Sequence, residues 1–277
     1  MDKLVFGTAG IPTSTKERNT ANGIAQIKNL GLSAMELEFV RSVNISKEKA
    51  PEIKKAAQEN DVVLTCHAPY FINLNSDDKT KVTASIKRIV DSARALYLCG
   101  GWSVCFHPGF YMKTTKEKTY ETIKKNLKEV ISQIKKEGIE IWMRPETTGR
   151  PTAFGDIYEL IKLSTEFENV LPCIDFAHLH ARSFGKFNTE QEFREVLGAV
   201  EKQLGKNALQ NMHIHLAGIN YGEKGELNHL NLKNSDMNYR ELIKVWKDFK
   251  IKGAVICESP NIEEDAKLIQ EEYTKCK

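Results

Sequence analysis

The sequence lacks the patterns that mark membrane and disulfide-rich proteins. It contains no run of about 18 apolar residues and no apolar leader ahead of its first strand, so we expect no membrane contact and a cytoplasmic location. Its six cysteines form no Cys-x-x-Cys pair. Most of them fall inside apolar segments, where a free thiol packs as a small hydrophobe, so a disulfide framework is not expected.

Strong charge and a nucleotide-binding turn are also missing. The net charge of 277 residues is only +3, which neither requires nor excludes a nucleic-acid partner. The turn after the first apolar segment, Gly-Thr-Ala-Gly at residues 7–10, is too short and lacks the third glycine of the dinucleotide fingerprint. A doubly wound nucleotide-binding sheet is therefore the less favoured fold.

Short apolar segments alternate with long amphipathic ones along the whole chain. The apolar segments predict strands at 4–6, 34–38, 62–67, 104–107, 140–143, 170–175, 211–216 and 254–258. Helices are predicted at 19–30, 47–60, 78–99, 116–137, 156–165, 190–204, 239–249 and 262–273. Eight strand–helix units predict one (β/α)8 TIM barrel over residues 1–277, with its longest irregular stretches at 13–18 and 217–235.

The histidines and several carboxylates gather at, or just after, the C-terminal ends of these strands. In a barrel such positions converge on one mouth. Imidazole and carboxylate together suit zinc, with manganese or iron as substitutes, and a bridging carboxylate allows two ions about 3.5–4 Å apart. A single strand-end histidine is usually structural, but a convergent set predicts a metal centre. Strands three to eight supply that set in order: His67, His107, Glu146, Asp175, His215 and Glu258.

Other residues near the predicted mouth carry less weight. His213 shares the strand parity of His215 and is expected beneath the metals, whereas His180 lies past its strand. Cys105 and Cys173 each precede a proposed ligand by two residues, so we expect them to pack one layer below the metals.

Motifs stand at successive strand ends. They read His-Ala-Pro-Tyr-Phe-Ile-Asn-Leu-Asn-Ser at 67–76, His-Pro-Gly at 107–109, Glu-Thr-Thr-Gly at 146–149, Cys-Ile-Asp-Phe-Ala-His at 173–178, His-Leu at 215–216 and Cys-Glu-Ser-Pro at 257–260. In this order they resemble the motifs of endonuclease IV, the zinc-dependent apurinic/apyrimidinic endonucleases among the xylose-isomerase-like barrels. The likeness spans nearly the whole chain.

The resemblance implies a DNA-repair enzyme that uses three zinc ions to hydrolyse the phosphodiester 5′ to an abasic site. It implies that Glu146 is the catalytic centre and bridges two metals, the first completed by His67 and His107. Asp175, His215 and Glu258 would complete the second metal, and His178 and His229 would hold the third. Tyr70 and Asn73 would contact duplex DNA beside a flipped-out sugar. We expect the enzyme to be a monomer.

The sequence departs from that family at the third metal. The family has an Asp-x-His pair there, and this chain places Leu227 at the aspartate position. Either a neighbour such as Glu226 or His213 replaces the missing carboxylate, or the third metal is weak or absent.

The sequence also differs from the endonuclease IV family after the second predicted strand and at the end of the fifth. The segment 36–44 reads Glu-Leu-Glu-Phe-Val-Arg-Ser-Val-Asn, so Arg41 is the candidate DNA-inserting residue there. Glu36 and Glu38 would repel phosphate unless a metal or base neutralises them. Arg144 and Pro145 stand where an apolar strand is usual.

A sugar isomerase or epimerase of the same superfamily is the alternative function. Such an enzyme uses one divalent metal and a carboxylate pair for proton transfer beside a carbonyl, and Glu146 and Glu258 would form that pair. The metal stoichiometry separates the two functions. A catalytically inert binding barrel is less favoured because the ligand ring is complete. Phosphate contacts in the endonuclease would come from loop cations, with Lys113, Arg150, Arg182, Lys186 and Lys224 as candidates.

Overall fold

A computed structural model describes residues 1–276 and contains twelve strands. They are β1 (Leu4–Ala9), β2 (Ala34–Glu38), β3 (Val63–His67), β4 (Ser103–Phe106), β5 (Gly109–Phe110), β6 (Trp142–Pro145), β7 (Ala153–Phe154), β8 (Cys173–Asp175), β9 (Met212–Leu216), β10 (Gly218–Gly222), β11 (Gly225–Leu230) and β12 (Gly253–Cys257). Eight of them form one sheet, and the remaining four form two small antiparallel hairpins, β5 with β7 and β10 with β11.

The eight-stranded sheet is parallel and curls into a nearly closed barrel. Its strand order is β6-β4-β3-β2-β1-β12-β9-β8. The two end strands meet through parallel bridges that pair Met143 with Val170 and Glu146 with Cys173. This is the TIM barrel that the alternating pattern predicts. Its consequence for function is that the carboxyl ends of all eight strands open on one face.

Helices cover the outside of the barrel. They are α1 (Thr20–Asn29), α2 (Ala50–Asn60), α3 (Lys79–Leu98), α4 (Lys116–Lys136), α5 (Ile157–Ser164), α6 (Phe176–Arg182), α7 (Glu190–Leu204), α8 (Lys206–Leu209), α9 (Tyr239–Asp248) and α10 (Glu263–Lys275). Capping boxes start α5 at Asp156 and α7 at Thr189, satisfying backbone donors that the first turn leaves free. Each long helix buries one apolar stripe, exemplified by Ile89, Leu127 and Trp246, against the strands.

Two segments differ from the sequence-based expectation. The stretch 217–235 was expected to be irregular, but it contains the β10–β11 hairpin and a short 3-10 helix at Leu232–Asn234. The turn signal Gly-Glu-Lys-Gly at 222–225 is typical of such a hairpin, and it is the feature that the expectation overlooked. Helix α6 also starts directly from β8, with the Asp175 side chain as its N-cap.

Within residues 1–276, no helix is both long and apolar enough to span a bilayer. The cysteines are all free thiols, and all except Cys276 are buried, as their apolar surroundings predict.

Candidate metal centre

Glu146 lies at the centre of the barrel mouth, immediately after β6, and is fully buried. Its Oε2 lies 3.0 Å from His67 Nε2 and 3.3 Å from His107 Nε2. Its Oε1 lies 3.2 Å from His215 Nδ1 and 3.3 Å from His178 Nδ1. One carboxylate therefore faces imidazoles on both oxygens, which is the arrangement that a bridging ligand requires.

A second group of donors lies on the far side of Glu146. Ligand atoms of Glu146, Asp175, His215 and Glu258 all lie within 4.8 Å of one another. Asp175 Oδ1 accepts a hydrogen bond from the His178 backbone N–H at 2.7 Å, because Asp175 caps α6. Its Oδ2 is buried 3.2 Å from His178 Nδ1, in a contact without hydrogen-bond geometry. A buried carboxylate oxygen that receives no hydrogen bond fits a cation ligand.

A third group lies nearer the rim of the mouth. Donor atoms of Asp175, His178 and His229 also lie within 4.8 Å of one another. His178 Nε2 is 3.4 Å from His229 Nε2 and 3.6 Å from Glu226 Oε2. Leu227, which stands at the family's aspartate position, is 56% exposed and turned away from this group.

A buried polar layer supports these donors from below. Glu36 Oε1 lies 2.9 Å from His215 Nε2, and Glu36 Oε2 lies 3.2 Å from His213 Nε2. Thr65 Oγ1 donates to Glu36 Oε2 at 2.8 Å, and Ser103 Oγ lies 2.8 Å from His213 Nδ1. His213 thus lies beneath the mouth, as its strand parity predicts. The two histidines also engage both oxygens of Glu36, so this carboxylate is enclosed by the barrel and does not face the cavity.

The two predicted interior cysteines belong to the same layer. Cys105 Sγ donates to Glu146 Oε2 at 3.1 Å. Sulfur and nitrogen atoms of Cys105, Cys173 and His215 lie within 4.8 Å of one another. Both thiols are fully buried, in agreement with the layer that the sequence predicts for them.

The mouth concentrates buried and half-buried acids and imidazoles without a basic side chain to balance them. The carboxylates are Glu36, Glu38, Glu146, Asp175, Glu226 and Glu258, and none of them pairs with a lysine or arginine in residues 1–276. Burial lowers the pKa of His67, but the Glu146 carboxylate overcomes this and raises it to about 10. Burial and the charge of Glu36 raise the pKa of Glu38 to about 7. The site therefore favours added positive charge.

These donors fit divalent metal ions. Imidazole nitrogen and carboxylate oxygen are the usual protein ligands of catalytic zinc and also suit manganese and iron. Every predicted ligand lies in one of the three groups around Glu146, and the binding of metal by each of them stays a prediction. Glu226 lies beside the third group, with its Oε2 3.6 Å from His178 Nε2, and is one of the substitutes that the sequence left open.

A cavity of about 460 Å³ opens above the donors. Its lining includes Tyr70, whose ring lies 5.6 Å from that of His67 and is 57% exposed. Asn73 instead serves its own loop, because its Oδ1 accepts from the backbone N–H groups of Asn75 and Phe110. DNA contacts by Tyr70, Asn73 and the exposed Arg41 stay predictions.

Some candidates lie outside the site. His180 contacts Asp236 at 3.1 Å and the Lys186 carbonyl at 2.8 Å, so it anchors a loop. Arg182 donates to the carbonyls of Arg150 and Ala153 and holds the loop after β6, which removes it from the candidate free phosphate contacts.

Arg144, which stands where the family usually has an apolar strand residue, has a structural role at the end of the barrel opposite the mouth. Its guanidinium lies 4.9 Å from the Trp102 ring and 5.2 Å from the Trp142 ring. Its NH2 group donates to both Asn211 O and Asn211 Oδ1 at 2.9 Å. Burial lowers the pKa of Arg144 to about 9.

The family model described as the xylose isomerase-like TIM barrel matches residues 24–275. The chain belongs to this family. An uncharacterized protein of Methanocaldococcus jannaschii is 45% identical over 272 residues, covering 98% of this chain and 97% of that protein. A probable endonuclease 4 of Mycoplasma genitalium is 26% identical over 216 residues, covering 76% of this chain and 71% of the relative.

Two solved structures that share this fold carry different names. Endonuclease IV from Thermus thermophilus superposes with a TM-score of 0.73 at 17% identity, covering 97% of each chain. A D-tagatose 3-epimerase-like protein gives a TM-score of 0.74 at 17% identity, also covering 97% of each chain. At this identity the two likenesses show the fold. The resemblance found in the motifs is confirmed by relatives that carry the endonuclease name.

Proposed function

We propose that this protein is a metal-dependent endonuclease that cleaves duplex DNA on the 5′ side of abasic sites, acting as a monomer in the cytoplasm. The observation that supports it is the number of donors. The set Glu146, Asp175, His215 and Glu258 is enough for one metal. His67, His107, His178 and His229 surround that set on the cavity side, which is more than a single ion uses.

Bound zinc ions would activate a water molecule and neutralise the negative charge that develops on the phosphodiester during hydrolysis. The protein itself holds the candidate ligands in position. Glu146 has an imidazole beside each of its oxygens, so it is the residue that would hold two ions. Glu36 and the Ala68 carbonyl orient His215 and His67, respectively, from behind. Tyr70 stands at the cavity edge, where a displaced sugar would enter.

A sugar epimerase is the second candidate, and one observation favours it. Glu146 and Glu258 both flank His215, at 3.2 and 3.4 Å, on the carboxylate pattern that proton transfer beside a carbonyl uses. The fold is shared with a D-tagatose 3-epimerase-like protein. The four additional histidines have no role in that chemistry, so we rank it second.

Metal counting and an incision assay test the proposal together. Protein purified without added metal is analysed for zinc, manganese and iron, and is then incubated with a duplex that carries one synthetic abasic site. We expect two or three zinc ions per chain and a single cut 5′ to the lesion that leaves a 3′-hydroxyl. An intact duplex of the same sequence is the control. One metal per chain, no incision and turnover of a ketohexose would reject the endonuclease in favour of the epimerase.

A further inference from the structure

We propose that Glu226 supplies the carboxylate ligand of a rim metal site with His178 and His229, in place of the aspartate that Leu227 has removed. The inference rests on the proposed metal centre and concerns its outermost ion. Three independent features of the structure support it: the register of the hairpin, the ring orientations of the two histidines and the space left by a glycine.

The hairpin register turns Glu226 toward the site. Asn220 of β10 pairs with Asn228 of β11, and the following residue of β10, Tyr221, pairs with Glu226, so Leu227 has no partner of its own in the ladder. Leu227 is therefore the extra residue of a β-bulge. In a regular strand residues 227 and 229 would share a face, because side chains alternate. The bulge removes one residue from that alternation, so Glu226 and His229 face the cavity while Leu227 faces outward.

The ring orientations of the two histidines turn the same nitrogen atom of each toward the site. His178 Nδ1 lies 3.0 Å from the Thr147 carbonyl, and His229 Nδ1 lies 3.2 Å from the Glu258 carbonyl. A carbonyl only accepts, so Nδ1 is the donor in each of these contacts and Nε2 is the ring nitrogen that remains for the site. Those two Nε2 atoms face each other at 3.4 Å, with Glu226 Oε2 3.6 Å from the His178 nitrogen. Ligand histidines in proteins are commonly fixed in this way.

Gly149 provides the room that the Glu226 side chain occupies. A Cβ atom at position 149 would lie 2.5 Å from Glu226 Oε2 and 2.6 Å from Glu226 Cβ. The Glu226 backbone N–H also donates to the Gly149 carbonyl at 2.9 Å, which fixes the hairpin against this loop. The carboxylate is thus held beside the histidines by a close backbone approach that only glycine permits.

Zinc stoichiometry tests the assignment without using activity. Each variant is loaded with excess Zn²⁺, desalted and analysed for zinc per chain. We expect three ions in the unaltered protein and two in Glu226→Gln, which keeps the shape but loses the charge. Glu223→Gln, in the exposed turn of the same hairpin, should retain three. Melting curves confirm that the variants fold.

A second pair of variants tests the same carboxylate from the other side. Gly149→Ala should also lose one zinc, because the new methyl group displaces Glu226 and crowds His178 Cδ2, 3.0 Å away. Gly198→Ala has no heavy atom within 4 Å of the added Cβ and should retain three. Three zinc ions in Glu226→Gln, or two in the unaltered protein, would overturn the rim site. Loss of one zinc by Glu226→Gln with no incision by the unaltered protein would retain the rim site and reject the endonuclease.

Discussion

The barrel interior contains buried charge at both ends, but only one end is completed by the protein itself. At the base, Arg144 lies against two tryptophan rings and donates to Asn211, with only its Nε left unpartnered. At the mouth, carboxylates and imidazoles face one another in close contacts without hydrogen-bond geometry: Glu36 Oε1 lies 2.9 Å from His215 Nε2, and Asp175 Oδ2 lies 3.2 Å from His178 Nδ1.

The difference teaches how to separate structural charge from functional charge. Buried ionic groups are costly, so a structural one is surrounded by fixed partners. Carboxylates and imidazoles that face one another without such partners can be balanced either by protons or by metal ions. The donors at the mouth therefore have the properties of a cation-binding site, whereas Arg144 at the base has a structural role. The following predictions challenge that contrast.

Loss of Glu146 should have the largest effect. Glu146→Gln removes the charge shared by His67, His107, His178 and His215, so we expect incision to fall by at least roughly 100-fold. Zinc content should fall with it, whereas the circular dichroism spectrum should be retained. The control is Glu168→Gln, at a side chain that is 89% exposed. Near-normal cleavage by Glu146→Gln would exclude Glu146 as the bridging group.

Removal of metal should lower the melting temperature strongly. An ion present at 100 times its dissociation constant adds about 2.7 kcal/mol of stability per site. For a protein of this size, that corresponds to about 5–10 °C. Scanning calorimetry with and without a chelator measures it. Equal melting temperatures would mean that the mouth balances its own charge, as the base does.

The chelated protein should also lose stability as the pH rises. The pKa of His67 is raised to about 10 in the folded state because of its pairing with Glu146. A raised folded-state pKa contributes stability that is complete below about 6.5, the usual histidine pKa, and is lost toward pH 10. The stabilisation by zinc should grow over the same interval, because protons compete with metal. Melting temperatures from pH 6 to 10 test both trends, and a flat profile of the chelated protein would contradict them.

A substitution at the base of the barrel should lower the stability of the protein without changing its zinc content. Arg144→Ala leaves a cavity between the tryptophans and an unpaired Asn211 carbonyl, so we expect a loss of about 2–4 kcal/mol in unfolding free energy. Zinc content should remain unchanged. Urea denaturation measures the loss, and Arg240→Ala, at an exposed helix position, is the control. A loss of zinc in Arg144→Ala would show that the two ends are coupled.

A substitution in the exposed loop after β2 should have the smallest effect, and that effect should be on DNA binding. Arg41→Ala should weaken binding to abasic duplex by several-fold and reduce the salt dependence by about one counterion, because one phosphate contact is lost. Lys55→Ala on the outer helix α2 is the control. Titration at several salt concentrations measures both quantities, and an unchanged slope would remove Arg41 from the DNA surface.

Much of the site could be predicted because β-strands impose a simple geometry. Side chains alternate along a strand, and parallel strands of a barrel end on one face, so the convergence of the candidate ligands at 67, 107, 146, 175, 215 and 258 follows from their positions alone. The same parity predicts the lower layer of His213 and Cys105. The boundaries shifted by a few residues, which leaves His107 and Glu258 just beyond their strands.

The sequence by itself therefore determined the barrel and the inward set of donors, because periodicity and residue type are local properties. Only the tertiary structure decided the partners of those groups. Glu36 pairs with His213 and His215, and Arg144 contacts Trp102, so these contacts join residues far apart in the chain. The bulge at Leu227 is local, but it brings Glu226 to the distant His178. Such contacts depend on how strands and loops register in space, and a one-residue change of register reverses the face that a side chain presents.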